Sequence, residues 1–128
     1  VRTYSGSLAI DLRFPEMFEE DLVTLKPEAK PFLQRVSQIF SVFNSQVEIA
    51  VYRRVMPPGD IRNVWSLTSE EASTIARYLS SDCGVDSTMI SATGLGPNFK
   101  KIGLDESTSD TDAGVCLVVL QQKTTKNN

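Results

Sequence analysis

The chain has 128 residues, enough for one domain with a modest core, and its 41% hydrophobic and 23% charged residues are ordinary for a globular protein. Thirteen basic and 16 acidic residues leave a net charge of −3. No basic stripe with interleaved aromatics runs through them, which argues against nucleic acid as a partner. Histidine is absent, and with it go the commonest general acid–base group, the commonest metal ligand and the usual Ser-His or Cys-His nucleophile pairs. The chain therefore reads as a non-enzyme with no metal and no cofactor.

No apolar run approaches the roughly 18 residues that a membrane span needs, and the first residues carry no charged-then-apolar signal pattern. A signal or lipid anchor ahead of Val1 remains compatible with this. The two cysteines, Cys83 and Cys116, fit one long-range disulfide in an oxidising compartment or two buried free thiols. They form no CxxC, so zinc has no evident site.

In chain order, Leu8, Ile10, Leu12 and Phe14 alternate along residues 7–14, the mark of a half-buried strand that Pro15 ends. An irregular acidic stretch follows over residues 16–24, with Met17, Phe18, Leu22 and Val23 as expected core contacts. Over residues 27–43 the period lengthens. Ala29, Phe32, Leu33, Val36, Ile39, Phe40 and Phe43 make the stripe of an amphipathic helix, and Pro31 sets its start or a bend. Val47, Ile49 and Val51 mark a second strand, and Pro57-Pro58-Gly59-Asp60 a loop. Thr68 and Glu71 have capping-box spacing and predict the start of a second helix, carried on by Ala72, Ile75, Ala76 and Leu79 and stopped at Gly84.

Residues 87–93 read as a third strand, residues 97–113 as a polar loop with little order of its own, and the apolar run 115–120 as an interior strand. Gly94-Leu95-Gly96 reads as a turn rather than a phosphate loop, because no third glycine opens a helix after it. Trp65 reads as a packing residue or as an exposed anchor for a partner protein. The carboxylates of residues 105–112 read as a solvated loop. One domain over residues 1–122 with a flexible tail, 123–128, is the expected organisation.

An ordered series of segments then resembles the OmpA/MotB-like peptidoglycan-associated family. LKPEAKPFL at residues 25–33 is similar to the family's approach to its first helix, and VEIAV at 47–51 to the strand before its "GHTD" turn. LTSEEA at 67–72, with IARYL at 75–79 and Gly84-Val85, resembles "LSxxRAxxVxxYLxxxGV"; MISATGLG at 89–96 resembles "RISAxGYGE". The series covers about residues 7–122. It implies an α+β class, a βαβαββ sandwich with two main helices on one face of a four-stranded mixed sheet. It also implies a periplasmic location, with outer-membrane association through a segment outside this chain, and other cell-envelope proteins as partners.

In that family an aspartate ending the "GHTD" turn and an arginine on the second helix clamp a diaminopimelate side chain. Here the resemblance puts Val55 or Met56 at the aspartate and Glu71 at the arginine, and the family's asparagine survives as Asn63, one residue out of register. The closing strand lacks the arginines of "NRRVEI". The expectation is a structural or assembly module of an envelope complex, such as a type IV secretion core, with its clamp degraded and peptidoglycan bound weakly if at all. The alternative is a working peptidoglycan anchor with a rearranged site. Its candidate residues are Arg53, Arg54, Asp60, Arg62, Asn63, Thr68 and Glu71.

Overall fold

A computed structural model describes residues 2–4, 7–13, 17–43, 46–102 and 113–120 of the chain. In order run strand β1 (Arg2–Tyr4), strand β2 (Ser7–Arg13), helix α1 (Ala29–Phe43), strand β3 (Gln46–Arg53), helix α2 (Val64–Ser81), strand β4 (Ile90–Gly94) and strand β5 (Ala113–Leu120). The strands form one sheet in the order β1-β2-β5-β3-β4, parallel between β3 and β4 and antiparallel elsewhere. This is the expected α+β class with one correction: β1 pairs with β2, Thr3 opposite Leu8, and makes a fifth strand. A three-residue strand is too short for alternation to reveal it. The apolar run of residues 115–120 does lie in an interior strand, since β5 is laddered to β2 on one side and β3 on the other. The expected tail and the carboxylate loop at residues 105–112 fall outside the described residues.

Strand parity divides the core. Val47, Ile49 and Val51 face the helices and pack with Leu33, Val36 and Phe40 of α1, with Ala72, Ile75 and Leu79 of α2, and with Met17 and Phe18. On the opposite face Ala9, Ala50, Tyr52 and Phe99 form a smaller cluster. Phe99 belongs to the segment expected to lack order. A 3₁₀ turn, Phe99–Ile102, instead sets its ring 5.9 Å from that of Tyr52.

Helix α1 starts at Ala29 and takes Pro31 in its first turn, where the missing amide has no intrahelical partner to lose. Its buried stripe is narrower than the sequence suggested: Phe32 and Ile39 are each 43% exposed. The side chain of Phe43 lies outside the described ones. Residues 87–93 are only partly a strand, because Asp86 caps a 3₁₀ turn at Ser87–Met89 before β4 begins at Ile90.

Helix α2 departs from its expected start. Asn63 is the cap, its Oδ1 accepting from the amides of Trp65 at 2.9 Å and Ser66 at 3.1 Å. Thr68 is already one turn inside, donating its hydroxyl to the Val64 carbonyl at 2.9 Å. No capping box forms, since Thr-x-x-Glu spacing also occurs within a helix whose cap lies upstream. Gly84, at φ 76°, turns the chain after α2, and the Val85 amide returns to the Leu79 carbonyl at 3.0 Å.

Gly94 lets α2 lie directly on the end of β4: a Cβ there would come within 2.2 Å of the Ser69 nitrogen. Cys83 carries a free thiol packed beside the helix-face core.

Two stability outcomes follow. Asn63→Ala should lower the unfolding free energy by about 1 kcal/mol, largely restored by Asn63→Asp. Gly94→Ala should lower it by at least about 2 kcal/mol, because backbone rather than a flexible side chain blocks the added carbon. Urea unfolding reads both.

Candidate functional site

The parity that sends Val47, Ile49 and Val51 toward the helices also sends Arg53 there. On α2, Leu67, Glu71, Ile75 and Leu79 recur at four-residue steps and are all buried. Strand end and helix face therefore bring a guanidinium and a carboxylate together. The Nη2 of Arg53 donates to Glu71 Oε2 at 2.8 Å, with side chains 7% and 0% exposed. The other carboxylate oxygen, Oε1, is buried and takes no hydrogen bond from the described residues. Loss of hydration lifts the Glu71 carboxyl to about 7, and this outweighs the pull of the Arg53 guanidinium and of the more distant Arg62.

The sequence reading set Val55 or Met56 against Glu71; the structure sets Arg53 there. Val55 is 56% exposed and lies beyond the strand end. An acidic and a basic group do face each other at the strand–helix junction, with the base on the strand and the acid on the helix.

Two backbone contacts close the junction from the side of β4. The Arg53 amide donates to the Gly96 carbonyl at 2.8 Å, and the Gly96 amide donates to the Thr68 hydroxyl at 3.1 Å. Gly96 is at φ 58°, and a Cβ there would meet the Trp65 indole at 2.7 Å. Trp65 packs on this turn, as the first of its two readings expected, while staying 52% exposed.

The other candidates are distributed differently. Asp60 and Arg62 pair with each other: Arg62 Nε reaches Asp60 Oδ1 at 3.0 Å and Oδ2 at 3.1 Å, while Nη1 donates to the Asp21 carbonyl at 2.7 Å. The Arg62 hydrogen bonds hold the Asp60 carboxyl at about 2. Arg54 has the opposite parity to Arg53 and lies over the Phe99 ring, 4.8 Å from its centroid, on the far side of the sheet. Asn63 is spent on capping. Of the candidates, then, Arg53, Thr68 and Glu71 form one buried cluster. Asp60 and Arg62 flank it, and Arg54 and Asn63 do other work. The signal for Glu71 was its place in the four-residue ladder; the signal for Arg53 was parity.

No family model matches the sequence, and no curated protein matches it either. Solved structures do. The cell wall anchor of the T6SS from Pseudomonas aeruginosa superposes with a TM-score of 0.72 at 19% identity, covering 89% of this chain and 81% of that one. A putative MotB-like protein from Desulfovibrio vulgaris gives 0.75 at 18% identity, covering 92% and 75%. An OmpA-like domain from Francisella tularensis gives 0.64 at 21% identity, covering 88% and 71%. The chain has the OmpA/MotB-like fold.

Removing one member of the ion pair should be costly and removing both much less so. Arg53→Met should destabilise by about 3 kcal/mol, and Arg53→Met with Glu71→Leu should recover most of that loss. The raised Glu71 value also gives a pH slope. The folded state holds this proton more tightly than the unfolded chain, so stability is greatest below the ordinary carboxyl value and declines as pH rises through about 7. Urea midpoints between about pH 5 and pH 8 should fall with pH in the wild type, and Glu71→Gln should lose most of that slope.

Proposed function

We propose that this chain is a non-enzymatic periplasmic module that serves as a structural or assembly part of a cell-envelope complex, without a working zwitterion clamp. The observation that carries the reading is the buried Arg53–Glu71 pair, in which the base and the acid at this junction engage each other. Magnitudes favour this. A diaminopimelate group would have to part a buried ion pair, at about 3–5 kcal/mol. It would gain about 1.5–3 kcal/mol for each new charged hydrogen bond. The exchange gives no driving force for tight binding.

The envelope setting is supported by the similar structures, a cell wall anchor and a MotB-like protein among them. No helix among the described residues is long and apolar enough to cross a membrane. Attachment at the outer membrane would come through a segment outside this sequence. A large secretion assembly, such as a type IV secretion core, is a fitting host for a domain that contributes shape and contacts rather than ligand capture.

Calorimetric titration with a diaminopimelate-containing muropeptide tests the reading. Affinity of about 1 mM or weaker is expected. Saturable micromolar binding lost in Asp60→Ala or Arg62→Ala would overturn it in favour of a peptidoglycan anchor working through the flanking pair.

A further inference from the structure

A second surface feature lies on the far flank of α2 from the ion pair. A groove of about 400 Å³ runs between residues 23–25, the first turn of α1 and the outer C-terminal half of α2. Its floor is apolar and aromatic: Leu25 is 7% exposed and Tyr78 8%. The Tyr78 hydroxyl is fixed by Gln34, whose Nε2 donates to it at 3.1 Å. Two cations border this floor. The Lys30 ammonium stands 5.9 Å from the Tyr78 ring centroid, and Arg77 Nη2 donates to the Thr74 hydroxyl at 3.4 Å. Neither has a carboxylate at ion-pair distance among the described residues, whereas Arg53 and Arg62 both do. Lys30 and Arg77 thus set two positive charges against the one negative charge of Asp82 along this aromatic floor. Asp82 lines the groove as well, and gives it a polar end that suits an amide or ammonium donor.

The wall made by residues 21–25 is held in place. Asp21 Oδ1 accepts from the amides of Val23 at 3.0 Å and Thr24 at 2.9 Å, and Leu22 is kept at φ 67°, a region that leucine rarely occupies. Arg62, braced by Asp60, ties the Asp21 carbonyl from outside. Such a groove is shaped before a ligand arrives, which lowers the ordering cost of binding.

We propose that this groove docks an acidic, partly apolar peptide segment of a protein partner. Its carboxylates meet Lys30 and Arg77, and an apolar side chain lies on Leu25 and the Tyr78 ring. The chemistry is charge complementarity over an apolar floor, with orientation set by Asp82.

The test uses a labelled short peptide alternating glutamate and leucine, its glutamine-for-glutamate counterpart, and amide NMR of the intact chain. The expected result is saturable binding of the acidic peptide at low salt, with shifts confined to residues 22–34 and 74–83. Affinity should drop about tenfold or more in Lys30→Glu and in Arg77→Glu, and stay unchanged in Lys100→Glu, an exposed site outside the groove. Absence of saturable binding, equal binding of the glutamine peptide, or equal weakening by Lys100→Glu would overturn the proposal. Inorganic phosphate or anionic vesicles that displace the peptide with the same dependence on Lys30 and Arg77 would reassign the groove to a bare anion or a lipid surface, and that too would overturn it.

Discussion

The contact between Arg53 and Glu71 organises the junction of β3, α2 and β4. A carboxylate placed in the middle of a helix's buried stripe is tolerable only if something of opposite charge is brought to it, because burying a lone charge costs several kcal/mol. Strand parity supplies that partner from β3. Once the two are joined, helix and strand cannot slide past one another without separating them. The Gly94–Gly96 turn adds a second fixture: Gly96 takes a hydrogen bond from the Arg53 amide and gives one to Thr68, so its backbone joins strand to helix. The absence of side chains at Gly94 and Gly96 is what lets Ser69 and Trp65 come down onto that turn. An apolar pair could fill the same volume, but it would fix register less strictly.

Much of the architecture was legible from residue pattern alone, because each main element carries its own period. Val47, Ile49 and Val51 give a strand with an inside face, and Leu33, Val36 and Phe40 give a helix with one. What escaped notice was short or borrowed its order from elsewhere. The three residues of β1 have no period to read. Phe99 lies in a polar segment and is ordered by Tyr52, a residue far away in sequence. The extra width assigned to the α1 stripe came from counting Phe32 and Ile39 as core, when one helix against one sheet buries only part of its circumference.

The site was harder to read than the fold for a specific reason. Thr68 and Glu71 satisfy a local rule for helix starts, and that rule supplied a sufficient local explanation of Glu71. Asn63, five residues upstream of Thr68, satisfies a competing rule and is the actual cap. With the start moved back by one turn, Glu71 no longer faces the helix end and falls into the ladder with Leu67, Ile75 and Leu79. The same slip hid Arg53. Matching loop residues by distance from the helix gave Val55 or Met56, whereas continuing the alternation of β3 gives Arg53 directly. Alternation is imposed by the backbone, while loop length is free to change, so parity points to the residue that faces Glu71.

The two flanks of α2 differ in how their charges are satisfied, and this difference bears on what the domain can do. At the N-terminal side Arg53 has Glu71 and Arg62 has Asp60. The first of these pairs is buried and the second is exposed. At the C-terminal side Lys30, over the Tyr78 ring, and Arg77 hold no ion pair among the described residues and share the groove with Asp82. Asp60 and Arg62 connect the two, since the guanidinium that flanks the closed junction also braces the loop forming the open groove's wall. The exposed Asp60–Arg62 pair is thus the structural link between the strand–helix junction and the wall formed by residues 21–25.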